Sequence, residues 1–367
     1  MRLDHLWLTD FRNYREAEFA PAPDGITAVT GSNGEGKTNL IEAVGYLATL
    51  RSLRGSPAEA LVRDGAPNHT AIVRAEGRRD SRRVLIEAEL RAVGRDRVQV
   101  NGQALRRTRD LLGALQVTVF TPDDLVLVKG GPQARRDYLD DLLVALHPRH
   151  DATITEVDRV LKQRNTLLKS VAGLRSPPAE VISTLDVWDA KLAGVGEDLA
   201  AARAGLAEAL EPRAADAYRR VAIAVPQPPR ATISLSYRRS WAGPLIDALG
   251  AARHDDLRRG VTTVGPHRDE LDLLVGGFAA RSHGSQGEQR SLTLALRLAG
   301  HDIVTERIAS APILLLDDVF SELDSARAEA LLTCLPAGQA IITTATDLPR
   351  GAVVEARYRV EGGKILS

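Results

Sequence analysis

The chain has 367 residues, 48 basic against 48 acidic side chains and 4% aromatics, enough for one large or two ordinary domains with a sizeable core. Zero net charge confines any nucleic-acid surface to a local patch. The single cysteine, Cys334, excludes an intrachain disulfide and a Cys-based zinc site.

The start, Met1-Arg2-Leu3-Asp4-His5, lacks the apolar run of a signal peptide, and no window reaches the ~18 apolar residues of a membrane span. A cytoplasmic protein without a membrane partner is therefore expected. Residues 2–8 alternate as an opening strand, Phe11-Arg12-Asn13-Tyr14 turns, and Ala17-Glu18-Phe19 suggests a second strand. Ile26-Thr27-Ala28-Val29 reads as a buried strand, and Asn39 to Val44 as the first turns of a helix. Between them Gly31-Ser32-Asn33-Gly34-Glu35-Gly36-Lys37-Thr38 matches the phosphate-loop pattern G-x-x-x-x-G-K-[ST]. Strand, glycine-rich turn and helix is the order that aims backbone N–H groups and a helix N-terminus at phosphates. Lys37 would bridge the β- and γ-phosphates of ATP, and the Thr38 hydroxyl would hold Mg²⁺.

Beyond a loop at Arg51–Pro57, residues 70–75 and 83–91 read as strands, and 98–103 as a hairpin with an Asn101-Gly102 turn. Val117 to Phe120 is a further strand. Residues 123–169 and 180–222 are helical in period, with a break at Ser176-Pro177-Pro178 and a Pro-rich turn at Pro226–Arg230. Thr232 to Tyr237 alternates as a strand, and 244–259 is another helix. Long heptads are absent, so no long coiled coil is expected. The expected organisation is a first lobe of residues 1–120 and 261–367, interrupted by a mostly helical second lobe at 121–260. Strands follow at 271–275, Ile313–Leu316 and 340–344, with a closing hairpin around Gly362-Gly363.

An ATPase with a phosphate loop needs an acid at the end of a neighbouring buried strand, and Leu314-Leu315-Leu316-Asp317-Asp318 supplies it. Asp317 would order the Mg²⁺ shell and Asp318 would orient the attacking water. Ser285-Gln286-Gly287-Glu288-Gln289 is similar to the ABC-type signature L-S-G-G-Q, with Gln286 in place of its first glycine. In that class Ser285 and Gly287, with Gln289 and the helix N-terminus, contact the nucleotide bound by a second subunit. That arrangement implies an ATP-dependent homodimer, with Ser285 acting in trans and Ser321 and Asp324 on the loop that crosses the interface. Taken alone, Ser285 is equally a plain helix N-cap.

From Arg74 to Arg109 eleven arginines face five acids, a local excess of six. Within that stretch Arg78, Arg79, Arg82, Arg106 and Arg107 are candidates for phosphate contacts with DNA. A solvated sheet face is the alternative. Arg135 and Arg136 open a helix and either touch DNA or nucleotide or pair with Asp137, Asp140 or Asp141. His267-Arg268 is most simply a salt-bridged loop. Trp188 and Trp241 read as core anchors.

The chain resembles the RecF family of bacterial recombinational repair proteins. Besides the ATPase motifs, the resemblance rests on the block from Pro122 to Asp140, on Leu316-Asp317-Asp318-Val319-Phe320-Ser321-Glu322-Leu323-Asp324, on Gly265-Pro266-His267-Arg268-Asp269 and on Phe11-Arg12-Asn13-Tyr14. It implies an α/β fold: an ABC-type P-loop ATPase head with a mixed sheet lobe and a mostly helical lobe, akin to SMC heads without the coiled coil. It also implies ATP-driven dimerisation on DNA at single-strand gaps or single/double-strand junctions, and slow hydrolysis as a switch. The partners implied are RecO and RecR, and indirectly RecA, in repair, the SOS response and replication-fork maintenance. Arg12 and Asn13 would line the adenine side of the site.

Three features depart from the transporter ATPases of the wider class. No histidine follows the strand after the acids, where Thr344 or Thr346 offers only a hydroxyl; the second acid is Asp318 instead of Glu; and no glutamine loop is evident. All three favour a slow switch. A transporter ATPase subunit and an SMC-like head with a mainly scaffolding role stand as alternatives.

Overall fold

The computed structural model describes residues 1–79, 82–174, 176–222 and 232–367; the Pro-rich turn expected at 226–230 lies outside them. Contacts divide the chain into two compact units. The first holds Met1–Asp124, residues 216–222 and Ser291–Ser367, and the second holds Leu125–Ala215 and residues 232–290.

The chain begins with β1 (Arg2–Phe11), β2 (Tyr14–Phe19), β3 (Gly25–Thr30), α1 (Lys37–Thr49), β4 (Thr70–Arg79), β5 (Arg82–Arg91), β6 (Arg97–Val100), β7 (Gln103–Ala104) and β8 (Val117–Phe120). The helical stretch supplies α2 (Val126–Lys129), α3 (Pro132–Leu146), α4 (Arg149–Val171), α5 (Ala179–Ala222), β9 (Ile233–Arg238), α6 (Leu245–Arg259), β10 (Glu270–Val275), β11 (Phe278–Ala279) and α7 (Ala280–His283). It closes with α8 (Gln286–Ile308), β12 (Ile313–Asp317), α9 (Ser325–Cys334), β13 (Gln339–Thr344), β14 (Val354–Glu361) and β15 (Lys364–Leu366).

Two sheets enclose α1 in the first unit. One is antiparallel, in the order β2-β1-β4-β5-β6-β7, and its strands alternate buried and outward residues as a one-sided sheet requires. The other, β15-β14-β3-β13-β12-β8, is parallel except at β15. Its central strands β12 and β13 are buried along their whole length, which explains the unbroken apolar run Ile313–Leu316. Helix α1 is buried over Leu40–Leu47 because it packs between the sheets, against β1 and β4 of one and β12 and β13 of the other. The hairpin expected at 98–103 is β6–β7, with Asn101 and Gly102 both at positive φ (52° and 77°), as a tight two-residue turn needs.

In the second unit β9 pairs with β10, and β10 with β11. Residues 261–290, which the sequence reading returned to the first lobe, pack here because β10 finds its partner in β9. A buried ion cluster ties the helices: Arg164 on α4 donates to Asp189 on α5 (2.6 Å) and to Asp256 on α6 (2.7 Å). Arg203 on α5 grips both carboxylate oxygens of Asp140 on α3, each at 2.7 Å.

Candidate functional site

Parallel strands β3, β13 and β12 lie side by side, so their C-terminal ends open on one place, the usual position for a ligand in such a sheet. The phosphate loop leaves β3 there and enters α1. Gly36, at φ 118°, caps α1 in a conformation that L side chains avoid, and a Cβ there would sit 2.5 Å from the Asn13 amide. At Gly31 a Cβ would meet the carbonyl oxygen of Val360 at 2.4 Å. The Lys37 ammonium is buried and donates to the carbonyls of Gly31 (2.8 Å) and Ser32 (2.9 Å).

The loop is braced from two turns. Asn13, between β1 and β2, donates to the Glu35 carbonyl (2.8 Å) and accepts from Asn39 (2.8 Å). The buried Tyr14 hydroxyl donates to the Gly36 carbonyl (2.9 Å). From the β14–β15 turn, Gly363 N–H reaches the Glu35 carbonyl (3.3 Å) and Gly362 N–H the Glu35 carboxylate. Phe11-Arg12-Asn13-Tyr14 is thus a buttress for the phosphate loop.

Asp317 ends β12 opposite Thr343 of β13 in the sheet register. Its Oδ1 accepts from the Thr38 hydroxyl (2.9 Å) and the Thr343 hydroxyl (2.7 Å). Burial pushes the Asp317 carboxyl above the usual range; the two hydroxyls and the positive charge of Arg54 pull the other way. Asp318 takes a left-handed backbone conformation (φ 48°), with its N–H held by the carbonyl (3.1 Å) and hydroxyl (3.1 Å) of Thr343. Its Oδ1 is buried and has no hydrogen-bond partner among the described residues. A threonine hydroxyl and a carboxylate side by side are hard oxygen donors that fit Mg²⁺. Among the described residues no group of three or more His, Cys, Asp or Glu could form an all-protein metal cage, which suits a cation shared with nucleotide phosphates.

Sequence reasoning missed two residues here. Thr343 supports both acids, whereas Thr344, one of the two hydroxyls singled out, is buried and donates to the Thr346 carbonyl (2.9 Å). Arg54, in a stretch read only as loop, is exposed and acts electrostatically on Asp317. Arg12 is engaged elsewhere: its guanidinium holds the fully buried Glu42 (2.7 and 2.9 Å), the Ala60 carbonyl (2.8 Å) and the Ser56 hydroxyl (2.9 Å). It fixes the segment after α1, and of the expected pair only Asn13 touches the phosphate loop.

The RecF/RecN/SMC N terminal domain model matches residues 2–356. The DNA replication and repair protein RecF of Streptomyces avermitilis is 44% identical over 380 residues, covering 100% of this chain and 99% of that protein. Its counterpart in Frankia alni is 44% identical over 381 residues, again covering 100% and 99%. The chain belongs to the RecF family. A solved structure of the recombination mediator protein RecF with ATP, in the RecFOR pathway, superposes with a TM-score of 0.88 at 27% identity, over 99% of this chain and 96% of that one. An SMC head from Pyrococcus furiosus, at 17% identity and TM-score 0.57, shares the fold over 100% of this chain and 95% of that one. The fold is the ABC-type head expected of a RecF-family ATPase.

The signature segment of this RecF-family chain forms a capping box at the start of α8. Ser285 N–H donates to Glu288 (2.7 Å), and Glu288 N–H donates to the Ser285 hydroxyl (3.2 Å). Ser285 is exposed and Gly287 half-buried. Gln289, expected at the nucleotide, is instead buried, and its amide donates to the carbonyls of Ala280 (2.9 Å) and Arg281 (3.2 Å). On the loop after the acids, Ser321 is exposed and its hydroxyl donates to the Asp318 carbonyl (2.8 Å). Asp324, also exposed, caps α9 by accepting from Arg327 N–H (2.8 Å).

The structure corrects the expectation that Arg135 and Arg136 touch DNA. Both are buried. Arg135 pairs with Glu270 (2.7 Å) and donates to the Leu127 and Gly130 carbonyls, and Arg136 donates to the Asp269 carbonyl (2.7 Å) and to Gln133 (2.7 Å), so the acid paired with Arg135 is on β10 and not one of the three expected. Arg78 is held by Asp4 (3.0 Å) and Arg79 reaches the Gly113 carbonyl (3.5 Å), while Arg82, Arg106 and Arg107 are exposed. His267 is a half-buried structural residue whose ring bonds the Thr262 carbonyl (3.0 Å); desolvation lowers its pKa to about 4, so it is neutral at pH 7. Trp241 is buried and Trp188 half-buried under Arg159 and Lys191. No helix among the described residues is long and apolar enough to cross a membrane.

Proposed function

We propose that this chain is an ATP-switched DNA clamp of replication and repair. The reading rests chiefly on the convergence of the phosphate loop, Thr38, Asp317 and Asp318 at neighbouring strand ends in unit one. Gly31 to Thr38 wrap the phosphates of ATP, and Lys37 transfers its bonds from loop carbonyls to phosphate oxygens. Thr38 and Asp317 would hold Mg²⁺, which supplies charge neutralisation for the phosphates. Asp318, with an unbonded buried oxygen, orients water for in-line attack and takes its proton as the β–γ bridging bond breaks and ADP leaves. A carboxylate one methylene shorter than Glu stands further from that water, and misplacement on that scale costs about 10²-fold in rate. Hydrolysis is therefore slow, and it times release.

Ser285 and Gly287, at a helix N-terminus, complete the γ-phosphate site of a second copy, with Ser321 and Asp324 at the same interface. ATP thus closes a homodimer on DNA, at gaps or single/double-strand junctions in the cytoplasm. RecO and RecR act beside it and RecA downstream. Lys37→Met and Asp318→Asn test this reading by DNA association in the presence of ATP. Lys37→Met is expected to abolish association and Asp318→Asn to prolong it; full association by both variants contradicts the clamp.

A further inference from the structure

Two groups of four stand out among the eleven arginines of the 74–109 stretch once folded. Arg74 lies over the Trp7 ring, Arg78 pairs with Asp4, Arg83 with Glu76 and Arg91 with Glu89. Each of those guanidiniums is already engaged by an acid or a ring of the same sheet. Arg95, Arg97, Arg106 and Arg107 are different. All four are exposed and line one pocket of about 580 Å³ at the β6–β7 edge of the antiparallel sheet. The only acid in that lining is Asp96, and its carboxylate accepts from the Tyr46 hydroxyl (3.2 Å) and Arg91 N–H (3.1 Å). Glu89, across from Arg97 in the register, is held by Arg91. Four cations stand against one acid that is already hydrogen-bonded.

We propose that Arg95, Arg97, Arg106 and Arg107 form a phosphate-binding edge that grips the backbone of duplex DNA. The assignment rests on the clamp reading above. It selects which part of the arginine stretch meets the ligand, and it adds Arg95 and Arg97, which composition alone did not single out. The four side chains come from the β5–β6 turn (Arg95), the start of β6 (Arg97) and the run after β7 (Arg106 and Arg107), so their charge lies along a sheet edge. A row of phosphates matches such an edge. Long exposed guanidiniums read charge and not base sequence.

The test is the salt dependence of duplex binding by the full chain with a non-hydrolysable ATP analogue, followed by fluorescence anisotropy. Replacing all four arginines by Ala should flatten the slope of log K against log salt by about 3 to 4. Between 50 and 200 mM salt the parent chain should then lose about 10²-fold more affinity than the variant. The pair variants Arg95→Ala/Arg97→Ala and Arg106→Ala/Arg107→Ala should each give about half the change in slope, and they carry the test if the quadruple variant does not fold. Lysine at all four positions should restore the slope, and Arg83→Ala should leave it unchanged. Binding of a fluorescent ATP analogue reports that the nucleotide site is intact. A parent chain that binds duplex, with an unchanged slope in the quadruple or both pair variants, overturns this site and leaves the clamp standing. A parent chain that binds no duplex overturns both. Tripolyphosphate binding lost in the variants while the DNA slope is unchanged would assign the edge to a small anion instead.

Discussion

In the second unit Arg164 is fully buried between Asp189 and Asp256, whereas in the first unit Arg95, Arg97, Arg106 and Arg107 stand exposed along one sheet edge. The residue type is the same and the physical role is opposite. A guanidinium inside the helical unit is a fastener whose charge is neutralised by acids from other helices. At the sheet edge the same group keeps its charge for a ligand. What separates the two is the supply of carboxylates that the fold brings to each, and those carboxylates are remote in sequence. The acids that hold Arg164 lie 25 and 92 positions away.

The largest expected effect tests the fastener role. Asp256→Ala leaves Arg164 buried with one acid removed and should destabilise the protein by about 3 to 5 kcal/mol. Arg106→Ala, on the exposed edge, should change stability by no more than about 0.5 kcal/mol. Urea midpoints of the two variants decide the matter, and equal costs would erase the distinction.

The same separation explains how much was legible beforehand. The phosphate loop, the acid strand and the β6–β7 turn are contiguous patterns, and they fold where the residues predict. Thr343 was not legible as a support for the acids, because only the register Asp317↔Thr343 brings its hydroxyl there. The signal available was a hydroxyl at the end of a strand parallel to the acid strand, but Thr344 and Thr346 carry the same signal. Arg135 and Arg136 look like ligand contacts in sequence because polar residues at helix starts usually face outward, and Gln289 because it closes the segment similar to the ABC signature. Their burial follows from β10 and α7, which pack over them. Asn13 and Tyr14 could be recognised as a landmark, yet their task of holding Glu35 and Gly36 needed the fold.

A pH series sharpens the comparison, since each unit carries a histidine kept neutral by desolvation, the half-buried His267 and the buried His301. Burial lowers both His267 and His301 to about 4, below the ordinary 6.5. The unfolded chain therefore binds more protons between pH 6.5 and 4, so stability is full above about 6.5 and falls as the pH drops through that window. Each histidine can contribute up to about 3 kcal/mol of that loss. Denaturation at pH 7 and pH 5 should show it, and His301→Gln should remove the contribution of the first unit alone. An unchanged pH slope in that variant would mean that His301 is not held neutral.

A smaller effect is expected at the loop buttress. Tyr14→Phe removes the hydrogen bond to the Gly36 carbonyl, worth about 1 kcal/mol. Asn13→Ala frees the Glu35 carbonyl and Asn39 together. Both variants should weaken ATP binding several-fold, measured by titration with a fluorescent analogue, with little change in the urea midpoint. Unchanged affinity would show that the phosphate loop keeps its shape without the Phe11–Tyr14 turn.

A nucleotide site completed by a second copy is tested most directly by the ATPase rate per subunit as a function of protein concentration, without DNA and with single-stranded, duplex and gapped DNA. With Ser285 acting in trans, the rate per subunit rises with concentration, DNA lowers the concentration needed, and Ser285→Arg abolishes the rise while ATP binding persists. A rate per subunit that is independent of concentration and indifferent to DNA would mean that each subunit works alone, and it would contradict the clamp.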